Sequence, residues 1–148
     1  MPPPLFSNVW GTPSFVLDVA VPLRWLIVSR GNLYTSRVLS KASSNTVAVP
    51  NGRPGQFADR LRDEELAGSV TAVRVDHFPN QLRSSSILVD PAGEQVWDVA
   101  LQIARAHQLP LREAELLELS LRMGLPLATD DLPLTSAAAA CGVPIYQP

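Results

Sequence analysis

Gly124-Leu125-Pro126-Leu127-Ala128-Thr129-Asp130-Asp131 packs three signals into one short stretch. Gly124 is the kind of residue that stops a helix, because glycine takes the left-handed conformation without strain. Pro126 to Thr129 is a brief apolar run that reads as a buried strand. Asp130 and Asp131 then stand at that strand's carboxyl end. A long periodic segment precedes the glycine: Pro110 to Met123 carries Ala114, Leu117 and Leu121 at helical spacing. An alanine-rich segment, Leu132 to Cys141, follows the acids and ends at Gly142. Helix, strand, helix is the repeating unit of a parallel α/β sheet.

The same alternation runs through the rest of the chain. Phe15-Val16-Leu17-Asp18 is a first apolar strand ending in an acid. Pro22 fits only the first turn of a helix, so a helix starts near Ala20 and runs toward Arg30, stopped by Gly31-Asn32. Leu33–Ser43 is a second helix, and Thr46–Val49 a β-branched second strand bounded by Pro50-Asn51-Gly52. Pro54 to Gly68 is helical, residues 69–85 are ambiguous because Pro79 breaks the pattern, and Ile87–Val89 is a third strand. Asp90-Pro91 reads as the cap and first residue of a helix to His107, with Val96, Trp97, Ala100, Ile103 and Ala104 as its apolar stripe. Val143–Tyr146 closes the chain as a fifth strand. The expected fold is a three-layer α/β/α sandwich with a largely parallel sheet, as one domain over 14–148 behind an irregular, proline-rich leader, 1–13.

Composition narrows the function classes. The chain has 148 residues, 46% hydrophobic and 18% charged, which is a globular balance. One cysteine excludes an intrachain disulfide and a cysteine-based zinc site. No apolar run is long enough to span a bilayer, and the N-terminus lacks a signal-peptide pattern, so a reduced cytoplasmic protein is expected. Net charge is −2 but unevenly spread: residues 1–62 carry +5 and residues 63–148 carry −7. Such a split lets a chain hold an anionic polymer on one side and a cation on the other, although an ordinary solvated surface gives the same count. No P-loop, dinucleotide fingerprint or nucleophile elbow is present.

In parallel sheets the ligand site lies beyond the carboxyl ends of the strands. That rule singles out Asp18 after the first strand and Asp130 and Asp131 after the fourth. Glu113, in the first turn of the helix leading to the fourth strand, can reach the same crevice. Three carboxylates in one pocket repel one another and are stable together only with protons or with a hard cation. Mg2+ or Mn2+ prefers such oxygen ligands, and a cation so held activates water against a phosphodiester. Each acid also has a plainer reading. Asp18 can start a turn, Asp130 or Asp131 can cap the next helix, and Glu113 can face a helix dipole. Arg112/Glu115 and Glu118/Arg122 have the spacing of surface pairs, and Trp25 and Trp97 sit on apolar helical faces as core residues do. His77 and His107 have no partner pattern.

Phe15-Val16-Leu17-Asp18-Val19-Ala20-Val21-Pro22-Leu23-Arg24-Trp25-Leu26 resembles the first strand and helix of PIN domains, in particular the VapC-type ribonucleases of toxin–antitoxin pairs. The closing stretch from His107 to Asp131 is similar to that family's acid-Ala helix (here Glu113-Ala114), its Gly-x-Pro-Leu-x-Thr strand and its final acid. Ala137 to Val143 matches the last helix and strand, so the resemblance spans 14–146. It implies a metal-dependent endoribonuclease with Mg2+ or Mn2+, a homodimer, and neutralisation by a small antitoxin. Asp18 matches the family's first acid and Asp131 its last, while Glu113 stands where Asp is usual. The family's second acid falls on Gln56, which is uncharged; Asp59, one turn on, and Asp130 are the nearby acids that can substitute. Ala20 replaces a usual Ser, Thr or Asn. These departures leave two readings: a ribonuclease with an attenuated site built on Asp18, Glu113 and Asp131, its RNA phosphates guided by Arg24, Arg30 or Arg53, or a PIN-like binding module acting through dimerisation, RNA or antitoxin binding without cleavage. A receiver-like phosphoacceptor also uses strand-end acids but wants a lysine after the last strand, and the chain's one lysine, Lys41, lies elsewhere.

Overall fold

Phe15, Val16 and Leu17 are all buried, and this unbroken apolar run forms the centre of the sheet. The computed structural model describes residues 12–26, 32–75 and 86–148. Four strands, β1 (Phe15–Leu17), β2 (Thr46–Val49), β3 (Ser86–Val89) and β4 (Leu127–Ala128), pair in the order β3-β2-β1-β4, all parallel. Val16 lies opposite Ala48 on one side and Leu127 on the other. β3 is an edge, and its Ser86 and Ile87 are exposed. The helices among the described residues include α1 (Ala20–Leu26), α2 (Leu33–Ala42), α3 (Arg53–Leu66), α4 (Trp97–His107), α5 (Leu111–Met123) and α6 (Leu132–Cys141).

Strand alternation sends side chains to opposite faces and so builds two cores. Val16 and Ala48 pack with Leu116, Leu117 and Leu119 of α5 and with Leu134, Ala137 and Ala138 of α6. Phe15, Leu17, Val47 and Val49 pack with Val21 of α1 and with Val38 and Ala42 of α2. The result is a three-layer α/β/α sandwich. A third cluster joins α1 to α3 through Val19, Leu23, Leu26, Phe57 and Leu61.

The expected starts and stops are largely found. α2 opens on a capping box in which the Asn32 side chain accepts from the Thr35 N–H and the Thr35 hydroxyl accepts from the Asn32 N–H. α5 ends at Gly124 with φ 66°, a conformation that favours glycine. The helix expected from Pro91 departs from the reading. A 3-10 turn over Glu94–Val96 intervenes, α4 begins only at Trp97, and Asp90 caps no helix. Its buried carboxylate instead accepts from the Ala92 N–H (3.3 Å) and from the Arg122 guanidinium. Trp97 is 47% exposed rather than core, because the first turn of α4 edges a cavity beyond the carboxyl ends of β2 and β3.

Two charge pairings also differ from the surface pairs expected. Glu118 is buried, and Arg122 bridges it to Asp90: Nε donates to Glu118 Oε1 at 2.7 Å and Nη1 to Asp90 Oδ1 at 3.3 Å. Glu115 pairs with Arg53 at 3.2 Å instead of with Arg112. Long-range partners override helical spacing where burial makes an unpaired charge costly. The fifth strand reduces to a single parallel bridge between Ile145 and Leu127. The Leu127 N–H donates to Pro144 O and the Tyr146 N–H to Leu127 O, while Pro144 has no N–H with which to extend the ladder. Tyr146 stacks on Phe15 with centroids 4.0 Å apart. Nearly all of the leader, Arg30, His77, the side chain of Trp25 and most of the ambiguous 69–85 segment lie outside the described residues. No helix among the described residues is long and apolar enough to cross a membrane.

Candidate active site

Asp18 follows β1 and Thr129 follows β4, so the parallel pairing of Leu17 with Ala128 brings them side by side. The Asp18 N–H donates to Ala128 O at 3.0 Å, which fixes the backbone. Its carboxylate is buried and doubly held: the Ala20 N–H donates to Oδ1 at 3.0 Å and the Thr129 hydroxyl to Oδ2 at 2.8 Å. The same hydroxyl oxygen accepts from the Asp131 N–H at 3.2 Å. Thr129 therefore joins the first acid to the last. Both hydrogen bonds favour the charged form of Asp18, and so does the Arg53 charge. Burial outweighs them, reinforced by Asp131, and the Asp18 carboxyl is held above the ordinary aspartate range.

Asp131 caps α6. Its Oδ2 accepts from the Leu134 N–H at 3.0 Å, which is the plainer reading weighed for it, and this bond fixes the carboxylate beside Thr129. Glu113 projects from the first turn of α5 and is half-buried. Burial raises its pKa, and the charges of Asp131 and then Asp18 raise it further, against Arg53 and Arg60. The three acids singled out from the sequence thus share one electrostatic neighbourhood at the carboxyl ends of β1 and β4.

The two substitute acids are placed differently. Asp130 turns to the other side of the strand end, where its Oδ2 accepts from Arg24 Nη1 (3.0 Å) and Asn32 Nδ2 (2.9 Å). Asp59 is exposed on α3. The α3 groups whose charge reaches Asp18 or Glu113 are Arg53 and Arg60. Gln56 lies between those two arginines at i+3 and i−4, and its Oε1 is buried without a hydrogen-bond partner.

Arg53 is only 3% exposed, so it does not guide a polymer at the surface. Its guanidinium is tucked under α5, where Nη2 donates to the Arg112 carbonyl and to Glu115 Oε2. Arg24 is likewise engaged, by Asp130. Sequence reasoning also missed the contact between His107 Nε2 and Cys141 Sγ (3.3 Å), which joins the ends of α4 and α6 across 34 positions.

The donors around Asp18 are hard oxygens, as Mg2+ and Mn2+ require. Each Asp18 oxygen accepts one bond and keeps a lone pair. Among the described residues, no three His, Cys, Asp or Glu side chains are gathered closely enough to form a metal shell by themselves. This donor set fits a hydrated ion, held by one or two carboxylates and completed by water, which is how Mg2+ is commonly bound. A separate cavity of about 800 Å3 lies beyond β2 and β3, lined in part by Asn51, Asp90, Trp97, Arg112 and Glu118 and by none of the three acids.

No family model matches the chain, and no curated protein matches it. Among solved structures, the chain is similar to the crystal structure of PAE2754 from Pyrobaculum aerophilum, with a TM-score of 0.61 and 19% identity over 84% of this chain and 86% of that one. At that identity the likeness concerns the fold, and it agrees with a parallel α/β/α sandwich.

Proposed function

We propose that the chain is a PIN-type endoribonuclease of the VapC kind, with an attenuated site that takes Mg2+ or Mn2+. The observation that supports this reading is the placement of Asp18 and Asp131 at neighbouring strand ends, joined through the Thr129 hydroxyl, with Glu113 within reach of their charge. In this reading Asp18 and Glu113 hold the ion, and Asp131, fixed by its cap, orients water. The ion, when bound, supplies charge stabilisation and an acidified water for phosphodiester hydrolysis. The Thr129 hydroxyl favours the ionised form of Asp18 against the larger opposing effect of burial, and it ties Asp18 to the Asp131 backbone. The RNA substrate, a cognate antitoxin, a homodimer and a cytoplasmic location belong to the same proposal.

A specific observation favours the second reading, a PIN-like module that binds without cleaving. The position expected to carry the second acid is Gln56, and the α3 charge acting on Asp18 is that of a buried arginine, Arg53. Both features lower the negative charge available to a cation. Cleavage of a structured RNA pool with Mn2+, comparing wild type with Asp18→Asn, separates the readings. Loss of cleavage in the variant alone supports the nuclease. Absence of cleavage in both folded proteins supports the binding module, and equal residual cleavage in both removes Asp18 from the chemistry.

A further inference from the structure

The cavity of about 800 Å3 beyond the carboxyl ends of β2 and β3 touches none of the three acids. Its wall is rich in hydrogen-bond acceptors: Asp90, Glu94, Glu115 and Glu118 line it, against one base, Arg112. Arg122 pairs with Asp90 and Glu118, and Arg53 with Glu115, but neither arginine lines the cavity. Those pairs hold the carboxylates in place without using up their acceptors. An ionised carboxylate accepts about four bonds, whereas Glu118 accepts two and Glu115 one. Trp97, at the edge of the cavity, is 47% exposed, although tryptophan is among the more buried residue types. Arg112 is exposed and is followed by Glu113 in the first turn of α5, so the cavity and the acidic site adjoin.

Resting on the RNA-directed reading, we propose that this cavity receives one unpaired base of the RNA, stacked on Trp97, with its amino group donating to the carboxylate wall and its phosphate held outside by Arg112. A flat aromatic ring that carries N–H donors satisfies the indole face and the acceptors together. A phosphate does not, because the carboxylates repel it from the interior. The base therefore enters and the backbone stays at the rim. Cytosine carries an exocyclic amino donor where uracil carries a carbonyl acceptor, so the cavity selects cytosine over uracil.

The test is a titration of the 15N-labelled intact chain, without metal, with cytidine and uridine hexanucleotides. It follows the Trp97 indole N–H, which Trp97→Phe assigns, and the backbone amides. The cytidine hexamer is expected to shift that indole and to bind about tenfold more tightly than the uridine hexamer. Trp97→Ala removes a half-exposed ring, so the variant folds, and it weakens binding of the cytidine hexamer about tenfold. Equal binding of the two hexamers, binding of neither, or binding unaffected by Trp97→Ala overturns the inference and leaves the nuclease reading to its own cleavage assay. An indole shift produced by hexaarginine and by neither RNA also overturns it, and assigns the cavity to a basic peptide. Cytidine-selective, Trp97-dependent binding by a chain that cleaves no RNA supports the inference and favours the module that binds without cleaving.

Discussion

Thr129→Val tests the joint between the two strand-end acids. Valine keeps the shape and β-branching of threonine and deletes the hydroxyl. Two bonds are lost: the 2.8 Å donation to buried Asp18 and the 3.2 Å acceptance from the Asp131 N–H. A hydrogen bond to a charged group contributes about 1.5–3 kcal/mol, and Asp18 keeps the Ala20 N–H, so a cost of about 2 kcal/mol is expected at neutral pH. The cost depends on pH. The Thr129 bond lowers the Asp18 pKa, so its loss raises the folded value further above the unfolded one, about 3.9. A raised folded pKa contributes stability that is complete below the unfolded value and is lost as pH rises through the folded value. The penalty is therefore smallest below the unfolded pKa and largest at neutral pH. Urea unfolding of both proteins between acid and neutral pH measures it. A penalty under about 0.5 kcal/mol, or one that does not change with pH, refutes the reasoning.

The other expectations follow from the same contacts. Asp18→Asn removes a buried charge whose folded pKa is raised, so the variant unfolds at higher temperature than wild type at neutral pH, and the gap closes as pH falls to the unfolded value; thermal melts across pH check this. Arg122→Met strands Asp90 and Glu118, which are 3% and 7% exposed; breaking a buried pair costs about 3–5 kcal/mol, and the 35% exposure of Arg122 reduces that to about 2–3 kcal/mol in a denaturant titration. Adding Asp90→Asn and Glu118→Gln recovers more than half of it. Gln56→Glu adds a charge on the face of α3 between Arg53 and Arg60, and Mn2+ affinity is expected to rise about tenfold by calorimetry.

What could be read from the sequence was local. Phe15-Val16-Leu17 is apolar without interruption, so its burial in a parallel strand follows from composition. Gly124 and Asp131 end and begin helices through chemistry confined to one turn. Placing Asp18 and Asp131 at one crevice needed only the rule that parallel strands end together. The misread features depend on partners far along the chain. Asp90 looks like a cap until Arg122, 32 positions away, takes its carboxylate. Arg53 looks like a surface cation until the Arg112 carbonyl, 59 positions away, accepts from it. Neither pairing leaves a mark in local spacing, because each is decided by which helix packs over which strand end.

The proposed function rests on Asp18, Glu113 and Asp131 sharing one ion. Its most direct test is Mn2+-induced broadening of the amide resonances of the 15N-labelled chain. The account expects the amides of Ala20, Glu113 and Asp131 to broaden first and together, and Asp18→Asn to abolish that pattern. Broadening that begins elsewhere, or that persists unchanged in Asp18→Asn, contradicts it.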